Sequence, residues 1–346
     1  MSSSRVAVDA APARRDGSGA VAKLRRLRTE YARLGVPLAL VVALLAIAAW
    51  RVPQLFTVVG LAGAILVAAP LMLATMAITP IAMAGRGGVD LSIGPAVGFI
   101  NVTIVTWLVS AGIEHPGLVF VYAMLAGVLW QLMVGAAIVF VRVSPIIVTL
   151  AGFMILQGLN LVILPRPGGL APDWLSDWGY GTTLFGPVLA VLVGAFLFWY
   201  AFTRTALFTH LKLMGSDERT AFACGVDVTR VRLLAHLIGG VFIGLAAICQ
   251  TALIGSGDPT QGNQLTLQAI TALVLGGTAL SGGRGGALGS VLGATAMYLI
   301  FVVLSSFNFG AISGFMTQMS YGLILVAALL LSLLGTRPGR DARVAA

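Results

Sequence analysis

From residue 35 onward the chain alternates long, unbroken apolar runs with short polar breaks. The runs fall at 35–50, 58–84, 92–112, 117–141, 144–164, 184–203, 231–253, 265–280, 287–306 and 311–334. About 20 apolar residues carry a helix across a hydrocarbon layer, and most of the runs reach that length. They are continuously apolar rather than alternating, which predicts helices and not barrel strands, because backbone groups in hydrocarbon must be satisfied within their own segment. Two runs are weaker: 35–50 is short, and 265–280 contains Thr266, Gln268, Thr271 and a Gly-Gly pair. Small residues recur at close-packing spacing, as in Gly60, Gly63 and Ala64 and in Gly289, Gly293 and Ala294. The predicted fold class is all-α, a polytopic integral membrane bundle of about ten transmembrane helices.

Outside the runs the polar segments differ in kind. Residues 1–34 are basic and rich in small residues, which predicts a largely disordered N-terminal tail with a short interfacial helix over Lys23–Arg33. Ala46-Ile47-Ala48 resembles a signal-peptide cleavage site, but the leading segment is long and many spans follow, so the first run reads as a signal anchor. Residues 35–334 form the membrane domain, and 335–346 a second polar tail. With ten spans both tails share one side. That side collects nineteen of the 21 Lys and Arg residues, leaving Arg51 and Arg166 on the other. Basic residues concentrate on the cytoplasmic side, so both termini are expected in the cytoplasm.

Composition agrees. Of 346 residues 58% are hydrophobic and 10% charged, against about 25% charged in soluble domains. So few charges cannot cover a soluble exterior, which excludes a soluble enzyme, a nucleic-acid-binding domain and a disordered protein. The net charge of +9 reads as a topology signal and not as a ligand signal.

Two connections are long enough to do more than return the chain. The outer segment 165–183 carries Trp174, Trp178 and Tyr180 beside Asp173 and Asp177, a pattern that suits an interfacial aromatic anchor or a docking surface. The inner segment 204–230 is the largest polar connection within the bundle and the best candidate for a cytoplasmic partner site.

Catalytic chemistry is thin. The two lysines, Lys23 and Lys212, do not follow a glycine, so no Walker A phosphate cradle occurs. Gly282-Gly283-Arg284-Gly285-Gly286 lacks the Lys-Ser/Thr of such a loop. No catalytic residues and no metal ligands are assigned: the histidines are scattered, and Cys224 and Cys249 fit ordinary packing better than a disulfide or a metal pair. Asp90 is the one acid with apolar runs on both sides. Its position before a helix fits an N-cap, with an ion-linked role as the alternative. His236, within the seventh run, fits a hydrogen-bonded packing residue. The neutral polar groups in the spans are Asn101, Gln131, Gln157, Asn160, Gln250, Gln268, Asn308 and Gln318. Amides suit a neutral, hydroxyl-rich solute, and they equally bond helices together. Asn101, Asn160, Gln250 and Gln268 are the pathway candidates.

Three stretches resemble one family, the permease subunits of ribose-type (simple-carbohydrate) ATP-binding-cassette (ABC) importers. Residues 88–94, Gly-Val-Asp-Leu-Ser-Ile-Gly, are similar to its Gly-Ile-Asp-Leu-Ser-Val-Gly; residues 273–285, LVLGGTALSGGRG, to its VVLGGTSLxGGxG; and residues 215–227, GSDERTAFACGVD, to its cytoplasmic coupling segment. The resemblance covers about 55–335. It implies that Asp90, Ser92, Gly94, Gly276, Gly277, Gly282, Gly283 and Gly285 are structural or pathway residues. It also implies that Gly215, Asp217, Glu218, Arg219 and Gly225 belong to a segment that enters an ATPase groove. ATP and Mg²⁺ would then bind to a partner, with no cofactor in this chain, which accounts for the missing P-loop. Implied partners are two ATPase subunits, a periplasmic solute-binding protein, a second permease copy or paralogue, and membrane lipid, with no nucleic acid; the implied location is the bacterial inner membrane.

The chain departs from the family pattern in places. Thr266-Leu267-Gln268-Ala269 stands where an acidic Glu-Leu-x-Ala is common, and Arg219-Thr220 where Ala-Ala is usual. These changes bear on the solute and on the identity of the ATPase. The reading is a sugar or sugar-alcohol permease subunit working by alternating access, not an enzyme. The rivals are an ABC permease for branched-chain amino acids or nucleosides, an ion-coupled secondary transporter, and a membrane enzyme.

Overall fold

A helix is the one local structure that satisfies its own backbone in hydrocarbon, and the computed structural model of the chain is helical throughout its apolar runs. It describes residues 18–85, 88–181, 183–307 and 312–335. The expected tails at 1–17 and 336–346, with Arg86, Gly87 and Asn308, lie outside the described residues.

The helices are α1 (Ser18–Arg51), α2 (Val58–Met83), α3 (Ile93–Thr103), α4 (Pro116–Ala136), α5 (Pro145–Ile163), α6 (Asp173–Trp178), α7 (Pro187–Thr203), α8 (Ala206–Ser216), α9 (Glu218–Ala223), α10 (Val228–Ile254), α11 (Gln261–Leu275), α12 (Ala287–Ser305) and α13 (Ser313–Gly335). Each apolar run overlaps one of them, the run 265–280 being offset to Gln261–Leu275. Single π-helical turns extend α3 over Ile104–Leu108 and α4 over Ala137–Val141. Proline opens α4, α5 and α7, where a missing N–H costs nothing. Gly255, at φ 68°, closes α10 in the left-handed conformation.

Among the described residues six helices are long and apolar enough to cross a membrane alone, and α7 with α8, bent by 76°, makes a seventh candidate. Ile93–Leu108 is a shorter apolar helix. α11 has 15 residues, about 22 Å at 1.5 Å per residue, less than the hydrocarbon thickness.

Two expectations change. The basic stretch Lys23–Arg33 does not form a separate interfacial helix. α1 is continuous from Ser18 to Arg51, because Ala, Leu, Lys, Arg and Glu are all good helix formers and Pro37 alone interrupts them. The inner connection 204–230, read as a loop around a coupling helix at Gly215–Gly225, is built of two short helices, α8 and α9.

α2 and α10 form the centre: 67% and 72% of their apolar stretches are buried, against 28% for the α4 span and 22% for α5. The outer helices therefore present apolar surface to the outside of the bundle. α4 lies against α10 along a seam of small residues. A methyl group on Gly244 would sit 2.6 Å from the Ala123 carbonyl oxygen, and one on Gly240 would sit 2.7 Å from that of Gly127. Hydroxyls in the interior bond within the bundle, as where Thr79 and Ser290 meet at 2.6 Å between α2 and α12.

Segments expected on one face do meet. At one end, the Gly283 N–H donates to the Met83 carbonyl at 3.0 Å, and Gly85, Gly215 and Gly282 converge. Gly85 and Gly282 have φ of 80° and 97°, and a methyl on Gly282 would come within 2.6 Å of the Gly215 carbonyl oxygen. Only glycine fits such a three-backbone junction. At the other end, the Arg51 guanidinium lies 4.5 Å from the Phe307 ring, Gly168 pairs with Gly257, and Trp174 donates to the Glu114 carbonyl at 2.7 Å.

Candidate functional site

Two features could carry function: an open-sided cavity between three helices and a grooved face at the α8–α9 end.

The cavity, of about 480 Å³, lies between α5, α11 and α13. Its polar lining is Gln157, Asn263, Gln264, Gln268, Thr271, Gln318 and Tyr321, with Phe153, Leu267 and Gly322 beside them. It contains four glutamines, one asparagine, a hydroxyl and a phenol, and no carboxylate or ammonium. Such groups both donate and accept without demanding a charged partner. The buried Asn263 Oδ1 has no hydrogen-bond partner, leaving an acceptor free beside this space.

The cavity exists because α11 begins inside the bundle. Residues 255–260 run back between helices before α11 starts at Gln261. Asn101 holds them there: its amide donates to the Ser256 carbonyl and to Thr251 Oγ1, both at 3.0 Å, and its Oδ1 accepts from the Asp258 N–H at 2.9 Å. Gly94 and Gly262 then pack backbone to backbone, and a Cβ on either would strike the other's carbonyl. The Gly94 N–H donates to Thr266 Oγ1 at 3.0 Å, and that hydroxyl donates to the Leu91 carbonyl at 3.2 Å.

The pathway candidates therefore separate. Gln268 lines the cavity, with Gln157 and Gln318 from the wider set. Asn101 and Asn160 are wholly buried and work in packing; Asn160 donates to the Pro95 carbonyl at 3.1 Å. Gln250 is half-buried on α10 and is not among the lining residues. Asn263 and Gln264 escaped the sequence reading because the apolar run was taken to start at 265. Polar residues at its head looked like loop, and the packing of 255–262 against α3 places them at the cavity wall.

Asp90 does not cap α3. Its Oδ1 accepts from the N–H and the Oγ of Ser92, each at 2.7 Å, while Gln131 of α4 donates to its Oδ2. The N-cap residue is Ser92, which makes no side-chain capping bond. Ser92 Oγ accepts from Trp130 Nε1 at 3.0 Å, and Gln131 Oε1 lies 2.7 Å from His236 Nδ1. Asp90, Ser92, Gln131 and His236 are all essentially buried.

At the α8–α9 end, Asp217 caps α9. Its Oδ1 accepts from the N–H groups of Arg219 at 3.0 Å and Thr220 at 3.3 Å, and its Oδ2 from the Thr220 hydroxyl at 2.6 Å. These bonds, the Thr220 hydroxyl above all, hold its carboxyl below the ordinary 3.8. Glu218 accepts from Arg232 of α10 at 3.0 Å. Gly225, at φ 84°, turns the chain from α9 towards α10. A groove of about 1000 Å³ opens between the end of α4 and α9, lined by Arg142, Asp217, Glu218, Arg219, Phe222 and Arg232 among others. Phe222 is 73% exposed there.

The remaining motif glycines are packing and turn positions. Gly276 ends α11 against Gly289 of α12, Gly277 turns with φ 78°, and Gly285 lies against Thr278 and Met83. The outer aromatics form one cluster, with Trp174 and Trp178 centroids 5.1 Å apart over Phe120. Among the described residues no group of His, Cys, Asp and Glu could hold a metal ion.

The family described as "branched-chain amino acid transport system / permease component" matches residues 60–334. Similar curated proteins include the ribose import permease protein RbsC of Bacillus subtilis, 28% identical over 71% of this chain and 76% of its own length. The galactofuranose transporter permease protein YtfT of Escherichia coli is 31% identical over 73% of this chain and 72% of its own. The D-allose transport system permease protein AlsC of the same species is 28% identical over 71% and 73%. No solved structure matches.

Proposed function

Since the chain belongs to the branched-chain amino acid transport system / permease component family, we propose that it forms the translocation pathway of an importer for a neutral sugar or sugar alcohol. The chain is a multi-pass inner-membrane permease subunit of the ribose type and not an enzyme. The observation that carries the solute class is the cavity between α5, α11 and α13. It offers seven neutral hydrogen-bonding side chains and no charge. A ring with several hydroxyls can pair with such amides, whereas a zwitterionic amino acid would leave both its charges uncompensated. Relatives named for ribose, allose and galactofuranose import support the same class.

In this reading the chain crosses the membrane ten times with both termini in the cytoplasm. The support is the overlap of ten runs with helices, the nineteen-to-two distribution of basic residues, and the convergence of Gly85, Gly215 and Gly282 at one end. The α8–α9 hairpin docks into an ATPase subunit, with Phe222 and the charged groove as its surface. ATP and Mg²⁺ bind to that partner. A periplasmic binding protein delivers solute at the opposite end, and a second permease copy or paralogue completes the pathway against the exposed apolar helices.

The test is uptake into vesicles bearing the complete assembly, with a panel of labelled pentoses, hexoses, polyols and branched-chain amino acids. Saturable uptake of a sugar or polyol is expected. Uptake of leucine or valine with no sugar transported would overturn the solute class while leaving the permease intact.

A further inference from the structure

We infer that Gln131 and His236 are positioning residues that transmit movement of the α9 docking helix to the wall of the solute cavity. The inference rests on the reading of α9 as the ATPase-docking element.

A line of polar contacts runs through the otherwise apolar centre of the bundle. It starts at Glu218 on α9, which pairs with Arg232 at 3.0 Å. Arg232 and His236 lie one turn apart on the same face of α10. Gly135 on α4 leaves room for the imidazole, since a methyl there would sit 3.0 Å from His236 Cγ. The ring can therefore lie against the α4 backbone and bring Nδ1 to 2.7 Å from Gln131 Oε1.

The direction of each bond follows from the chemistry at the far end. Gln131 donates through its NH₂ to Asp90 Oδ2, which turns its carbonyl oxygen to His236. Nδ1 must then carry the proton and donate. Asp90 in turn holds both the N–H and the hydroxyl of Ser92, the residue from which α3 starts. Two residues later the Gly94 N–H donates to Thr266 of α11, the helix that carries Gln268 and Thr271, two and five residues further on, to the cavity wall.

Two mechanical features make this line a transmission rather than a set of separate bonds. α10 follows α9 after a four-residue turn and is tied back to it by Glu218–Arg232, so displacement of α9 displaces the start of α10. α4 is locked to α10 along the Gly127–Gly240–Gly244 seam, where neither backbone can move independently. The α4–α10 pair therefore acts on residues 88–92 through Gln131 and Trp130, which hydrogen-bond to Asp90 and Ser92. Apolar contacts alone would let the pair slide past that segment, whereas directional bonds to a buried carboxylate fix the register. Neither Gln131 nor His236 touches the cavity or the docking groove.

The test uses the full assembly in proteoliposomes with its ATPase and binding protein. It measures co-purification of the ATPase, ATP hydrolysis, solute uptake and the melting transition. For Gln131→Leu the ATPase is expected to remain bound and to hydrolyse ATP within about twofold of the unaltered rate, while uptake per ATP falls about tenfold, the size of a typical inter-site coupling. His236→Leu, which leaves the Asp90–Gln131 bond in place, serves if Gln131→Leu does not assemble, and should show the same split. His236→Asn restores a donor near the Nδ1 position and is expected to recover most of the uptake, a rescue that a purely space-filling role would not give. Normal uptake per ATP in assembled Gln131→Leu and His236→Leu would overturn the inference. An unaltered chain that binds no ATPase would overturn instead the reading on which it rests.

Discussion

The α4–α10 seam gives the account a quantitative handle. At Gly244 an added methyl would lie 2.6 Å from the Ala123 carbonyl oxygen and 2.7 Å from both Ala123 C and Met124 Cα, all backbone atoms that no rotamer change can move. Ordinary contact begins at 3.4 Å, so Gly244→Ala requires the helices to part by about 0.8 Å over two turns. Overpacking of this kind costs about 1–3 kcal/mol. Replacing a mid-helix glycine with alanine also returns up to about 1 kcal/mol of helix propensity. Gly194 of α7 supplies the control: it too lies within a helix, and nothing stands within 4 Å of its missing Cβ. The propensity gain is common to both variants, so their difference isolates the packing cost. At about 2–4 °C per kcal/mol, Gly244→Ala should melt about 2–12 °C below Gly194→Ala. Cys249, buried on α10, is a built-in reporter for a thiol-reactive dye once the exposed Cys224 is replaced by serine. A Gly244→Ala protein that melts at or above Gly194→Ala would refute the close-packed seam, and with it the rigid α4–α10 pair.

Other outcomes follow from the site. Gln268→Leu and Gln157→Leu each remove one neutral hydrogen-bonding group from the cavity, worth about 1 kcal/mol, so each should weaken solute half-saturation in uptake about fivefold without loss of ATPase binding. Asp217→Ala should loosen ATPase co-purification by uncapping α9, and Asp217→Asn, which can still accept the two N–H bonds, should largely preserve it. The Asp217 carboxyl is held below 3.8 in the folded chain, so its contribution is complete above that value and is lost as pH falls through the lower folded one. ATPase co-purification with the unaltered chain should accordingly show no dependence from this group between about pH 5 and 9. Cys224, exposed next to α9, should react with an impermeant maleimide in inside-out membranes and not in right-side-out ones. Labelling in the reverse orientation would invert the topology.

The sequence made the helices legible because continuous apolar runs leave the backbone no other solution in lipid. It did not show that α11 starts within the bundle, since the Gly94–Gly262 contact joins segments far apart in the chain and the polar head Gln261–Gln264 looks locally like loop. Asp90 before an apolar run fits a cap on local grounds. Its true partner, Gln131, lies 41 residues away and is brought near by α4 packing. Asn101 and Gln268 are indistinguishable as amides in apolar runs. Tertiary packing alone decides that Asn101 pins a re-entrant segment while Gln268 faces the cavity. The cytoplasmic hairpin shows both sides of the matter. Its length and polarity marked it as a partner site, while its helical form rests on the Asp217 cap and on Arg232, which belongs to the next helix.

The central claim is that this chain is a pathway whose energy comes from another subunit. The direct measurement is solute accumulation against a gradient in proteoliposomes, comparing this chain alone with the chain plus its ATPase, binding protein and ATP. The account predicts accumulation only in the complete assembly, abolished when ATP is replaced by a non-hydrolysable analogue. Sustained uphill uptake by the chain alone, driven by a proton or sodium gradient, would contradict it.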